Sequence, residues 1–349
     1  MFGLGGSKTI VGLDIGSSSI KAVELKRARG EVQVAHLGME PLGQDMVVDG
    51  AIVDGPSVTS AITKVFTDAQ IKAKNVATAV SGHSVIVKKI SMRAMADAEL
   101  AENINTEAAQ HIPFDIADVK IDYQVLSEDP ASPYMDVLLV AVKKDKILSY
   151  TNVLAMASKN PVVVDIDAFA LQNCYEYNYD PSPGSTVALL NLGASVMNIN
   201  IVKGNTPLFT RDVSVGGIQY TDALQKELDL SFDDAESFKL GRKVGTVSED
   251  SKAPILQQVT EIIVLEIQKT FDFFRATASG EHIERIYMAG GSSKVPGLTE
   301  ALRQEFSLPV EILNPFQKIG YSGGSELIEQ NAAQFAVAVG LALRSFENL

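Results

Sequence analysis

Asp14, Gly16, Ser17, Ser18, Ser19 and Lys21 stand close together in the run TIVGLDIGSSSIKAVEL, residues 9–25. An acid, a glycine, small hydroxyls and a lysine at this spacing suit the handling of a polyphosphate. Glycine and serine between two strands leave consecutive backbone N–H groups uncovered, and such a nest accepts phosphate oxygens. Asp14, at a strand end, is placed to hold Mg²⁺ through water, and Lys21 to meet phosphates as a compact charge. A second run, STVALLNLGASVMNINIV at 185–202, repeats the design, with Asn191, Gly193, Ala194 and Ser195 where Asp14, Gly16, Ser17 and Ser18 stand in the first. One Gly-Ser hairpin is an ordinary turn. Two of them, each leading through a turn (Arg29-Gly30; Lys203-Gly204-Asn205) into a third strand, point to a duplicated fold whose nests face each other across a cleft.

The remaining chemistry is thinner. Gly290 and Gly291 follow an apolar strand and permit close backbone approach to a base or phosphate, with Ser292 adding a hydroxyl. Asp167 stands where a strand meets a helix and by itself reads as a helix cap. Glu236 and Lys239 share a helix face and, taken alone, read as a plain surface ion pair. His36, His83, His111 and His282 have no metal-ligand spacing, which argues against zinc. Cys174, the single cysteine, sits among apolar residues and reads as a buried thiol of a reducing compartment. A formal net charge of -13 argues against a nucleic-acid partner, which needs a basic face. No apolar run approaches the roughly 20 residues of a membrane span, and MFGLGGSK lacks a signal core, so the expected location is cytoplasmic.

Periodicity supplies the elements that must position these groups. A helix is expected over 57–69 and a strand over 76–80. The segment after Ser81-Gly82-His83 then reads β-α-β-β-α: strand 85–90, helix 97–110, strands 119–126 and 136–142, helix 145–158. That pattern suits a small insert. Strand 162–166 leads to Asp167. The second hairpin closes at Gly216-Gly217 before a helix, Ser231 caps the next, and 256–278 is a long amphipathic helix. A small-residue helix is expected over 331–344.

Taken together these runs resemble the actin and sugar-kinase-type ATPase superfamily. The first hairpin is similar to its phosphate-1 motif, the second to phosphate-2, and IYMAGGSSKVPGL from Ile286 to the adenosine motif. The insert resembles the SHS2-type 1C subdomain of FtsA and PilM, and EAAQHIPFDIADVKIDY at 107–123 is similar to the wording of the PilM family of type IV pilus assembly. The fold class implied is α/β, an actin-like ATPase fold of duplicated ribonuclease-H-like domains with that 1C insert. Its boundaries would be 1–84 (1A, first part), 85–160 (1C), 161–184 (1A, second part), 185–217 (2A, first part), 218–284 (2B), 285–330 (2A, second part), and 331–349 returning to 1A.

The resemblance implies ATP or ADP with Mg as cofactors. Gly16 to Ser19, Lys21, Gly193 to Ser195, Gly216, Gly217, Glu236, Lys239 and Gly290 to Ser292 would hold the nucleotide, Asp14 the metal, and Asp14, Asp167 and Asn191 would take the catalytic places. Active relatives have Asp where this chain has Asn191, and an amide cannot act as a base, so hydrolysis is expected to be slow or absent. The implied partner is the cytoplasmic tail of a PilN-type inner-membrane protein, an extended peptide docking near Ile112, Pro113 and Phe114, which by themselves also read as a helix stop. Recruitment to the inner membrane by that partner, contacts with pilus motor ATPases and self-association are further expectations. The alternatives are an FtsA-like filament former, disfavoured because the sequence ends without a terminal amphipathic helix, and a small-molecule kinase of the same fold.

Overall fold

The computed structural model describes residues 9–128, 132–278, 280–321 and 326–346. Residues 1–8, read above as lacking a signal core, lie outside them, as does the end of the C-terminal segment, 347–349.

Apolar, β-branched runs broken by glycine turns open the leading half. They form β1 (Val11–Ile15), β2 (Ser19–Ala28) and β3 (Glu31–Pro41), then the short β4 (Val47–Val48) and β5 (Ala51–Ile52), α1 (Gly55–Asp68) and β6 (Asn75–Val80). Asp54 caps α1 by accepting the Ser57 N–H at 3.1 Å. The insert follows as β7 (Val85–Arg93), α2 (Asp97–Ala109), β8 (Val119–Glu128) and β9 (Tyr134–Lys143), after which α3 (Lys144–Met156), β10 (Asn160–Ile166) and α4 (Asp167–Tyr179) return to the leading half.

The second half holds β11 (Thr186–Leu192), β12 (Met197–Lys203), β13 (Thr206–Val213), α5 (Gly217–Leu228), α6 (Phe232–Lys239) and α7 (Lys252–Thr277). It closes with β14 (Arg285–Ala289), α8 (Leu298–Phe306), β15 (Val310–Ile312), α9 (Glu326–Asn331) and α10 (Ala336–Leu343).

The two large sheets have one plan. Their orders are β3-β2-β1-β6-β10 and β13-β12-β11-β14-β15. In each, the first strand pairs antiparallel with its hairpin partner on one side and parallel with a later strand on the other. The duplication seen in two hairpins therefore extends over both halves.

The insert has its own antiparallel sheet, β7-β9-β8, on which α2 buries Leu100, Ile104 and Ala108, a stripe at helical spacing. The helix expected over 145–158 as part of that insert packs elsewhere. α3 turns Tyr150, Val153 and Leu154 into the leading half's core with Val58, Ile62 and Phe66 of α1. The helix expected over 331–344 is shorter, because Ala332–Phe335 form a 3-10 turn, between α9 and α10, and only Ala336–Leu343 are α-helical. The long helix α7 begins at Lys252, ahead of the expected Leu256.

α4 and α10 form the seam between the halves. α10 is buried on every face, and backbones approach too closely there for side chains. A Cβ on Gly340 would lie 1.7 Å from the Ala170 carbonyl oxygen, and one on Gly12 of β1 would lie 1.9 Å from that of Ala338. Among the described residues no helix is long and apolar enough to cross a membrane.

Candidate functional site

A cavity of about 500 Å³ lies between the halves, within the usual range for a small-molecule site. Its walls carry Asp14, Gly16, Ser17, Ser18, Lys21, Asp167, Asn191, Gly193, Ala194, Ser195, Gly216, Gly217, Glu236, Lys239, Gly290, Gly291 and Ser292. Every cofactor residue named from the sequence thus lies on one cavity except Ser19, which is buried as the first residue of β2. Its carbonyl accepts the Gly16 N–H at 3.2 Å and closes the turn.

The hairpins set this geometry by register. Asp14 pairs across β1 and β2 with Lys21, and Lys21 Nζ lies 3.1 Å from Asp14 Oδ2 with both side chains mostly buried. An ammonium has three donors, so this pair leaves capacity for phosphate oxygens. In the second hairpin Asn191 pairs with Asn198, and Gly193 N–H donates to the Val196 carbonyl at 3.1 Å, closing the turn as Gly16 does. The two tips touch, Ser17 Oγ lying 2.5 Å from Ser195 Oγ. Gly290 has φ +85°, and a Cβ there would lie 2.4 Å from the Leu192 carbonyl oxygen, so only glycine lets the third motif close on the second hairpin.

At the other end of the cavity Ser231 caps α6, its Oγ accepting the Asp234 N–H at 3.2 Å. That orients Glu236 and Lys239. Lys239, 6% exposed, donates to the Gly217 carbonyl at 3.1 Å, to Thr221 Oγ1 at 2.9 Å and to Glu236 Oε1. Its three donors are therefore engaged within the protein, and it holds α6 to α5. Glu236 Oε1 also takes the Thr221 hydroxyl, which leaves Oε2 as the acceptor for a ligand hydroxyl. Ser292 likewise commits its hydroxyl proton, donating to the Gly193 carbonyl at 2.8 Å.

Asp167 is the first residue of α4 and its side chain does not cap the helix, whose cap position is Ile166. It faces the cavity. Burial, and then the Asp14 charge, push its carboxyl up to about 7, against the opposing Ser81 hydrogen bond and Lys146. An acid poised there can take or give a proton near neutral pH.

Three groups that the sequence reading did not single out complete the surroundings. Asp212 of β13 accepts the Gly82 N–H at 2.6 Å and an amide proton from Asn198 at 2.8 Å, and its carboxyl is raised chiefly by burial. Lys146 donates to the Gly50 carbonyl beside the cavity, joined there by Tyr150 Oη at 2.8 Å, and burial lowers its pKa. Ser81 closes the cavity wall next to Asp167. Among the described residues no three His, Cys, Asp or Glu side chains form a direct metal cage.

The proposed docking residues lie on the insert, away from this cavity. Ile112 is part of the insert core, Pro113 is exposed, and the half-buried Phe114 ring lies under Lys143 Nζ, 4.6 Å from its centroid. Asp115 then starts a short 3-10 turn by accepting the Ala117 N–H at 2.9 Å, so the helix-stop reading describes the local backbone.

Comparison with known proteins matches residues 12–346 to the family model described as type IV pilus assembly protein PilM. A solved PilM-PilN type IV pilus biogenesis complex superimposes with a TM-score of 0.87 and 26% identity, over 97% of this chain and 99% of that one. Ethanolamine utilization protein EutJ from Carboxydothermus hydrogenoformans gives 0.60 at 14% identity, over 96% and 89% of the two chains. MreB 5 of Spiroplasma citri bound to AMPPNP gives 0.52 at 13%, over 95% and 94%. The latter two show the shared fold. In sequence, Escherichia coli (strain K12) EutJ is 25% identical over 118 residues, 34% of this chain and only 38% of that relative's length.

Proposed function

The chain belongs to the PilM family of type IV pilus assembly proteins, and from that premise we propose that it is an actin-like, ATP-binding scaffold that docks the cytoplasmic tail of a PilN-type inner-membrane protein. The observation that carries the nucleotide part is the convergence of two register-equivalent glycine hairpins and the Gly290-Gly291 turn on one cavity. Backbone N–H groups of both turns and the Lys21 ammonium would take the phosphates, and Glu236 Oε2 a ribose hydroxyl. The donor set fits Mg²⁺ held by Asp14 through water. When bound, that ion would neutralise phosphate charge.

The partner part draws on the PilM-PilN complex that this chain resembles over nearly its whole length. An extended tail suits the boundary between the insert and the leading half, where main-chain groups can pair with a strand edge. Recruitment to the membrane would follow from the partner. Hydrolysis is not required for such a role. Asn191 cannot accept a proton as a carboxylate would, so we assign any slow turnover to Asp167.

The test is a binding titration with a synthetic peptide of the PilN-type tail on the intact protein, together with Phe114→Ala. We expect saturable binding to the wild type and loss of affinity in the variant with ATP binding unchanged. A peptide that does not bind the intact protein rejects the scaffold reading.

A further inference from the structure

A line of hydrogen bonds runs from the cavity wall to the root of the insert. Asn191, on the wall, donates Nδ2–H to Asn198 Oδ1 at 2.8 Å. Asn198 donates Nδ2–H to Asp212 Oδ1 at 2.8 Å, and Asp212 Oδ2 accepts the Gly82 N–H at 2.6 Å. Gly82 lies between β6 and β7, where the chain leaves the leading sheet for the insert. Beside it His83 Nε2 and Ser214 Oγ, 3.0 Å apart, add a second link between the same two segments.

The direction of each amide is fixed from the far end. An ionised carboxylate only accepts, so Asn198 must turn its NH₂ toward Asp212 and its oxygen toward Asn191. Asn191 must then donate. A carboxylate at 191 has no proton to give, so the amide performs a task here that an aspartate could not. Asn198 is 1% exposed, and a shielded run of bonds ending on a charge is polarised along its length. The atom of Asn191 left over is Oδ1, an acceptor. A cation or metal-bound water set against it would polarise the amide and strengthen donation down the line.

We propose that Asn191, Asn198 and Asp212 are positioning residues that couple occupancy of the cavity to the hold on the insert at Gly82. The coupling rests on the nucleotide reading above and adds regulation to it. A filled cavity tightens the clamp at the insert's root, and so sets the surface on which the partner tail docks.

The experiment follows exchange of the Gly82 amide in the intact protein, with and without saturating Mg²⁺ and AMPPNP, while thermal melting reports whether the nucleotide binds. In the wild type we expect the ligand to slow Gly82 exchange at least about fivefold, the lower range of ordinary coupling between sites. In Asp212→Asn, whose new amide faces two donors, the ligand-dependent change should vanish at saturation. Asn191→Asp should behave alike, and it carries the test alone should Asp212→Asn fail to fold. A melting shift in the wild type with no change at Gly82 overturns the coupling and leaves the nucleotide reading intact. So does a fivefold effect that survives in either variant. No melting shift at all overturns both.

Discussion

The first hairpin pairs an acid with a lysine, Asp14 with Lys21, and the second pairs two amides, Asn191 with Asn198, at the same register position of the same sheet plan. One copy keeps charge at the cavity, where a phosphate can use it. The other passes hydrogen bonds away from it, to a carboxylate one strand further out on β13. The halves differ also two residues earlier. Gly12 lies against the backbone of α10, whereas its counterpart Leu189 is buried as a packing side chain. The two halves share one sheet plan, and single positions divide the work between them.

The largest effect should come from those last two positions. Gly12→Ala forces a Cβ to within 1.9 Å of the Ala338 oxygen on a seam of backbone contacts. We expect it to cost more than about 4 kcal/mol and to abolish folding, an outcome kept for few mechanisms. Leu189→Ala leaves a cavity and should cost about 2–5 kcal/mol in urea unfolding while the protein still folds. Equal losses would erase the asymmetry of the seam.

The next effect separates the hairpins themselves. Lys21→Met removes a charged donor from the cavity, and at about 1.5–3 kcal/mol for such a bond we expect ATP affinity to fall about 10- to 100-fold by calorimetry. Asn198→Ala, at the equivalent position, strips Asp212 of a donor. It should lower stability by about 1–3 kcal/mol, with a smaller change in ATP affinity. The reverse pattern would assign the charge and the relay to the wrong hairpins.

A further effect is a pH dependence. Asp167, raised from an ordinary 3.8 to about 7, keeps a proton in the folded protein that the unfolded chain gives up between those values. Its contribution to stability therefore falls as pH rises through that window and levels off above it. Melting temperatures of the wild type minus those of Asp167→Asn should show this downward slope. A flat difference would mean that Asp167 is not held in the raised state.

Much of this was legible in the sequence, because the hairpins rest on local rules. Glycine and small hydroxyls between β-branched runs make a turn, and two such turns make a pair. Asp212 was not legible, for a reason of register. Counting back from the Lys203–Thr206 pair would set Asn198 opposite Arg211. A shift between Ile201 and Val202 sets it opposite Asp212 instead, and one residue of slip exchanges the faces of a strand. α3 was misplaced because an apolar stripe states that a helix is buried without saying on which core. Lys239 was read as a ligand group, since spacing shows a shared face but not that three acceptors already surround its ammonium.

The nucleotide cleft is the centre of the account, and calorimetric titration of the nucleotide-free wild type with ATP and Mg²⁺ tests it most directly. We expect one site per chain, and a melting shift equivalent to about 2.7 kcal/mol at a hundred times the dissociation constant. No binding heat and no shift, in protein verified to carry no nucleotide, would contradict it.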